Sequence, residues 1–270
     1  MSVINFKRLI KRAIPEKCHT PFRCIYRMVL YLYLKCKYPS CRGSFECPCC
    51  RGRFVMFLPF GVERRINAQC PKCGALERHR LLCLYLKDKT DFFQNNLKVL
   101  HVAPLVYLRK KFENLENLDY ISADISAPGV TIKMDITNIN LPDDQFDCVI
   151  CNHVLEHIID DGKAMRELLR VLKPGGFAIL QSPIDDNRDK TFEDLSVVLP
   201  KERERAFGQW DHVRIYGRDY KDRLEKAGFT VKLDTYAMEM EESKRKMYGV
   251  SKSENICYCI KPNLTKHENY

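Results

Sequence analysis

Two periods of apolar residues run along this chain, and where each holds indicates the fold class. From Phe146 to Cys151 apolar residues follow one another over the length of a strand. Asn152, His153, Glu156 and His157 then gather polar chemistry at its end, and Ala164, Met165, Leu168, Leu169 and Leu172 recur at helical spacing. Lys173-Pro174-Gly175-Gly176 reads as a helix stop and Phe177–Leu180 as the next strand. Further runs predict strands near 97–103, 118–124, 130–134, 229–233 and 256–260, with 177–182 completing seven. Helices are expected over Leu76–Lys87 and over Tyr220–Ala227, the second ended by Gly228. Such interleaving is an α/β pattern, in which ligands bind beyond the carboxyl ends of the strands. Residues 185–216 are polar, irregular and too long for a plain connection, so they are expected to form a lid over a substrate.

Before residue 43 the pattern changes. Val3–Ile14 alternates apolar and basic residues in a way that suits an interfacial helix, and Pro15, Pro21 and Pro39 are expected to break any long helix. Residues 1–42 hold ten Lys/Arg against one acid, Glu16, so this arm carries +9 of the net charge of +10. A basic arm on a nearly neutral body points to an anionic partner, an anionic membrane surface before nucleic acid. Ile25–Leu34 is the most apolar stretch, but it contains Arg27 and is half the roughly 20 residues of a membrane span. Fourteen cysteines without a fitting signal peptide predict a cytoplasmic chain of reduced thiols, some of them bound to metal.

Cys47-Pro48-Cys49-Cys50 and Cys70-Pro71-Lys72-Cys73 place two C-x-x-C turns either side of an apolar ribbon segment, Phe54–Phe60. Two such turns meet the demand of structural zinc for four tetrahedral ligands, with Cys47, Cys50, Cys70 and Cys73 as the set. Cys49 leaves a second register open, but a C-P-x-C turn recurs in both halves only with Cys50. Cys18, Cys24, Cys36 and Cys41 have no regular spacing and read as scattered thiols, and Cys257 and Cys259 share one strand face as packing residues.

The wording HVLEH after one strand and LKPGG before the next resembles class I S-adenosylmethionine-dependent methyltransferases of the type 11 kind. With CPKCGALERHRLL, HVAP and FGQWDHVRIYG, the likeness extends to zinc-ribbon methyltransferases over about residues 45–262. The resemblance implies a Rossmann-like seven-stranded methyltransferase sheet with helices on both faces, plus a small N-terminal zinc ribbon. It also implies S-adenosylmethionine as cofactor, near His101, Ala103 and Pro104 after the first strand, where glycines are usual and none occurs. Asp124 would hold the ribose, Asp135 and Ile136 the adenine, and Asn152 and His153 would lie under the sulfonium. The alternative for Asp124 is a solvated strand-end acid, Asp135 reads equally as a helix-capping acid, and His157 as an ordinary core or surface histidine. In Phe207–Gly217, His212 is the candidate base, with Trp210 stacking on a substrate and Arg214 orienting its negative charge; the bland reading is a packed lid segment.

The expected organisation is an arm at 1–42, a ribbon at 43–75, a methyltransferase domain at 76–262 and a tail at 263–270. The expected reaction is methylation of an oxygen on a sugar or other small metabolite. Two readings compete with it: methylation of RNA or protein, and a non-enzymatic zinc-ribbon binding protein whose methyltransferase domain is degenerate.

Overall fold

The computed structural model describes residues 19–37, 45–61 and 64–263. The expected Val3–Ile14 helix, the 264–270 part of the tail, and Cys18 and Cys41 lie outside them. The chain divides into two compact units. One comprises residues up to Tyr85 together with Ala237–Glu254, and the other comprises Leu86–Tyr236 with the chain from Asn255 on. Residues 237–254, grouped with the methyltransferase domain on sequence, therefore belong to the N-terminal unit.

The N-terminal unit starts with α1 (His19–Lys37). The expectation that prolines preclude a long helix fails at Pro21, because it stands in the first turn, where backbone N–H groups have no helical partner anyway. Two hairpins follow, β1 (Phe45–Glu46) with β2 (Arg53–Phe54) and β3 (Leu58–Phe60) with β4 (Arg65–Gln69). α1 is fastened to this ribbon by Arg27, whose Nε and Nη2 donate to the carbonyls of Pro71 (3.2 Å) and Lys72 (3.3 Å). Tyr31 is buried edge-on to Phe54, and its hydroxyl accepts from the Val55 amide at 3.3 Å. Ile25, Val29, Leu32 and Tyr33 lie at helical spacing on α1 and are all more than half exposed.

α2 (Glu77–Asp88) carries Arg80, which is fully buried. Its guanidinium donates to the carbonyls of Ala68 (2.8 Å), Ala75 (2.9 Å), Asn67 (3.3 Å), Tyr248 (2.7 Å) and Gly249 (2.6 Å). It thereby joins the hairpin β3–β4 to the distant helix Glu242–Tyr248. Gly249 sits at φ +58°, and a Cβ there would lie 3.0 Å from the Phe57 ring, so this approach requires glycine.

The other unit is built on one seven-stranded sheet. Its members are β5 (Leu97–Val102), β6 (Leu118–Asp124), β7 (Ile132–Lys133), β8 (Phe146–Asn152), β9 (Leu172–Gln181), β12 (Thr230–Asp234) and β13 (Ile256–Ile260). The order is β12-β13-β9-β8-β5-β6-β7, parallel except for β13, which is antiparallel to both neighbours. Leu100, Val102, Val149, Cys151, Ala178 and Leu180 pack with α4 (Asp161–Val171) and α6 (Tyr220–Lys226) in one buried cluster. On the opposite face, in alternation, His101 meets Phe112 of α3 (Val106–Glu113). Helices thus cover both faces, and the Rossmann-like sheet expected from the sequence is present.

Three expectations are corrected in detail. Leu172 is not the last helical residue but the first of β9, paired with Phe146, and the Lys-Pro-Gly-Gly run is an extended bulge that leads into the strand. There a Cβ on Gly176 would come within 2.9 Å of the Lys173 carbonyl oxygen, which excludes larger residues. The 185–216 segment is not irregular, since it contains α5 (Pro200–Phe207) and a ribbon of β10 (Phe192–Glu193) with β11 (Arg214–Ile215).

Arg80→Met is expected to destabilise the N-terminal unit by at least about 3 kcal/mol, because several buried carbonyls lose a charged donor at once. Urea unfolding monitored in that unit checks this, and an unchanged midpoint would remove Arg80 from the account.

Candidate functional site

Parallel strands β8, β5 and β6 end side by side, so Asn152, Ala103 and Asp124 stand at neighbouring strand tips. Ala103 is at φ +46°, the left-handed conformation that glycine usually supplies, and its amide donates to the Ala123 carbonyl at 2.7 Å. The turn has the shape of a glycine turn without the glycine. Pro104 follows it, partly buried.

His101 does not join this edge. It is buried against Phe112 and Tyr120, with Nδ1 2.9 Å from the Tyr120 hydroxyl, and burial pushes its pKa down to about 3. It is a neutral core residue, so its place among the cofactor contacts is corrected.

Asp124 is half-buried, and its Oδ1 accepts from the amides of Ser126 (2.7 Å) and Ala127 (2.6 Å). Its Oδ2 has no protein partner among the described residues. Asp135 is exposed and caps its own turn, Oδ1 accepting from the amide (2.8 Å) and hydroxyl (2.9 Å) of Thr137, while the Ile136 side chain is buried in the core. Asn152 accepts from the Gln181 amide at 3.4 Å, but its Nδ2 is buried without a hydrogen-bond partner. An orphaned donor of this kind costs about 1–3 kcal/mol and suits a bound ligand.

His153 turns the chain at φ +56°, its amide donating to the Gln181 carbonyl at 2.7 Å. The 3-10 turn Leu155–His157 comes next. Glu156 is buried, with Oε2 accepting from Ser182 Oγ at 3.0 Å. Burial opposes its ionisation, yet the His153 ring beside it and nearby His157 hold its carboxyl below the usual range. His157 turns Nδ1 to the Asp211 carbonyl at 3.2 Å, and its ring meets that of His212 edge-on, centroids 4.7 Å apart. One ligand atom each from Glu156, His157 and His212 lies within 4.8 Å of the others. Burial also lowers the His212 pKa. The structure therefore brings His153, Glu156, His157 and His212 together, and this grouping was missed on sequence because 54 or more residues separate Glu156 and His157 from Asp211 and His212.

Arg214 is corrected too. Only 1% exposed, it donates from Nη1 to the carbonyls of Leu155 (2.9 Å) and Ile158, from Nη2 to that of Ile159 (2.8 Å), and from Nε to Glu193 (3.0 Å). A guanidinium enclosed in this way presents no charge to a substrate. Asp161 adds to the same network through Tyr216 (2.7 Å) and Arg223 (2.7 Å). Trp210, by contrast, is 60% exposed and free to stack.

In the N-terminal unit Cys47, Cys50, Cys70 and Cys73 form a buried cluster, with Sγ–Sγ separations of 3.6 Å for 47–73 and 3.7 Å for 50–70. A tetrahedron with zinc–sulfur bonds of about 2.3 Å has edges of about 3.8 Å, so the cluster fits zinc. The two knuckles close alike, the Arg51 and Gly74 amides donating to the carbonyls of Cys47 (2.7 Å) and Cys70 (3.0 Å). Hydrogen bonds from the surrounding thiols depress the Cys47 pKa, and its thiolate in turn pushes those of Cys70 and Cys73 up. Cys49 stays outside the four and points to the His79 carbonyl at 3.4 Å, as the preferred register requires.

Ala103→Gly is expected to gain about 0.5–1 kcal/mol of stability. A left-handed non-glycine residue costs about 1–2 kcal/mol, and the added freedom of the unfolded chain offsets part of that relief. Thermal and urea unfolding check it, and a loss of stability would show that Ala103 is not strained.

Residues 103–180 match the family described as methyltransferase domain. The ubiquinone/menaquinone biosynthesis C-methyltransferase UbiE of Pasteurella multocida is 35% identical over 165 residues, 53% of this chain and 56% of the relative. That of Pectobacterium atrosepticum is 35% identical over 133 residues, 44% and 49% of the two chains. The chain spans about half the length of the curated relatives it matches. The crystal structure of a SAM-dependent methyltransferase from Aquifex aeolicus is 18% identical with a TM-score of 0.41, covering 63% of this chain and 84% of that one. The segment from Ala103 to Leu180, from the first strand's turn through β8 and α4 into β9, is the part of the chain that matches this domain family.

Proposed function

We propose that this protein transfers a methyl group from S-adenosylmethionine to a small hydroxyl-bearing acceptor. The observation that carries the reading is the match of a methyltransferase domain to the very segment whose three adjoining strand tips hold a left-handed turn, an orphaned Asn152 amide and a half-used Asp124 carboxylate. Asp124 would accept from ribose hydroxyls through Oδ2 while Oδ1 keeps the loop closed. The 103–105 turn would lie along the methionine end, the 135–136 backbone along the adenine, and Asn152 and His153 below the sulfonium. When bound, the cofactor supplies an electrophilic methyl group, and the rest of the chemistry falls to the chain.

A neutral hydroxyl is a poor nucleophile, so the acceptor has to lose a proton as it attacks. His212 is the proposed base, since burial keeps its imidazole neutral and able to accept. Trp210 offers a stacking face beside it. Transfer to oxygen of a sugar or similar metabolite is the reading carried from the sequence. A second reading, transfer to a carbon made nucleophilic by a neighbouring ionised hydroxyl, is favoured by the identity to C-methyltransferases and by Leu195 (59%), Val198 (62%) and Leu199 (57%), which give the lid an exposed apolar lip. Either reading uses the same base.

Zinc in the four-cysteine cluster is proposed as structural, because a closed set of four thiolates leaves no position for substrate. The arm is proposed to touch an anionic membrane surface with the exposed α1 stripe of Ile25, Val29, Leu32 and Tyr33 amid its excess positive charge. No helix among the described residues is long and apolar enough to cross a membrane.

Calorimetry should detect S-adenosylmethionine binding to the full chain. Asp124→Ala should weaken it by about 2–4 kcal/mol, the value of two charge-assisted hydrogen bonds, and Asp124→Asn, which keeps an acceptor for the loop, should weaken it with less loss of stability. Wild-type affinity in both variants would show that the cofactor lies elsewhere, and no binding by the wild-type would favour the non-enzymatic reading.

In liposome co-sedimentation, the full chain should bind anionic vesicles and lose that binding in raised salt, and replacing Ile25, Val29 and Leu32 together by Ser should abolish it. Equal binding by the triple variant would reject the stripe. Salt-sensitive binding of RNA in its place would move the arm's partner to nucleic acid.

A further inference from the structure

We infer that Glu156, His157 and His212 form a second metal site, for a divalent first-row transition ion, at the substrate end of the sheet. One ligand atom from each lies within 4.8 Å of the others, and two imidazoles with one carboxylate are a donor set that such ions take with coordination positions left open. Bonds of about 2.0–2.2 Å would bring the ligand atoms to about 3–3.5 Å apart. The required closure is therefore at most about 1.8 Å, within reach of two partly exposed histidine side chains.

Two further observations point to a ligand at this place. The Glu156 carboxylate is 1% exposed, and its Oε1 has no hydrogen-bond partner, although Oε2 is held by Ser182. The group nearest that oxygen is the His153 ring, whose Nδ1 lies 3.2 Å from Oε1 as an ion-pair neighbour. A buried carboxylate oxygen with a single imidazole beside it is stabilised further when a cation joins it. Secondly, the His157 ring is already oriented through one nitrogen, Nδ1, which faces the Asp211 carbonyl at 3.2 Å and its carboxylate at 3.5 Å. Metal-bound imidazoles are characteristically held in this manner through their second nitrogen, which raises the basicity of the first.

The backbone fixes how these donors meet. The Val213 amide donates to the Glu156 carbonyl at 3.0 Å, and Arg214 grips the carbonyls of Leu155, Ile158 and Ile159. His212 is therefore tied to the turn that carries Glu156 and His157. The open positions of the ion would take oxygens of the acceptor, and an ion there lowers the pKa of a bound hydroxyl. With the ion bound, His212 would act as a ligand and the acceptor's proton would leave to solvent water; without it, His212 keeps the role of base proposed above. The inference deepens the proposed use of this site, but its test involves neither cofactor nor acceptor.

The full chain, purified without chelator, should contain one zinc at the cysteine cluster by elemental analysis. Titrated with cobalt(II) at micromolar free ion, it should take up one further equivalent, with the weak visible bands of a nitrogen–oxygen site and no added thiolate charge-transfer absorption. His157→Gln and His212→Gln should each weaken that uptake at least 10-fold and leave zinc content and far-ultraviolet circular dichroism unchanged. Absence of a second equivalent in the wild-type would overturn the inference without any variant, as would full uptake by both variants. Uptake without detectable methyl transfer would leave the metal site standing and count against the proposed reaction alone.

Discussion

The candidate site depends on a single enclosed guanidinium. Arg214 has its cation almost wholly removed from water, which is costly for any charge, and recovers that cost only because its nitrogens meet three carbonyls and the Glu193 carboxylate. Those carbonyls belong to the turn after β8, and Arg214 belongs to β11, more than 50 residues later. The planar fork of donors converts a polar loop end into a fixed platform, and a lysine, with a single nitrogen, could not span the same acceptors. Asp161, Tyr216 and Arg223 extend the network to α4 and α6, so the ribbon that presents His212 and Trp210 is held from two sides.

The N-terminal unit uses the same device independently. Arg80 there serves five carbonyls, and its guanidinium also lies 4.3 Å from the centroid of the Phe57 ring. A small unit with short strands cannot bury enough apolar surface to define itself. A buried cation that satisfies otherwise orphaned carbonyls, together with a four-cysteine cluster, supplies the specificity that a larger core would give. Nothing in the local sequence marks Arg80 as buried, because LERHRLL has the look of an ordinary surface helix turn.

Legibility in the sequence followed the range of the interaction. The strands and α4 were readable because apolar spacing is a local property that a sheet enforces over several consecutive residues. The four-cysteine set was readable because each knuckle is closed within six residues by its own backbone. Arg214 was misread as a substrate ligand and His101 as a cofactor contact, since burial depends on what the fold places on top of a residue. Alternation along β5 did contain the answer for His101, which shares a face with Val99 and not with Val102. The cluster of Glu156, His157 and His212 was beyond reach, for its members are made neighbours by contacts of residues 211–214 with the 155–159 turn.

Backbone strain at the strand tips shows how the edge proposed for the cofactor is held. Ala103 after β5 and His153 after β8 both take left-handed conformations, at φ +46° and +56°, each costing about 1–3 kcal/mol. In both, the strained residue donates its amide at 2.7 Å to a carbonyl at the end of the adjoining strand, Ala123 for the first and Gln181 for the second. The sheet's hydrogen-bond ladder therefore continues one residue beyond each strand while the side chain and following backbone turn away from it. Such a turn is maintained by the parallel register of β9, β8, β5 and β6, and that register is set by apolar packing tens of residues away. The geometry at the tips is held by the sheet's own hydrogen bonds, so binding there need not supply the energy to create it.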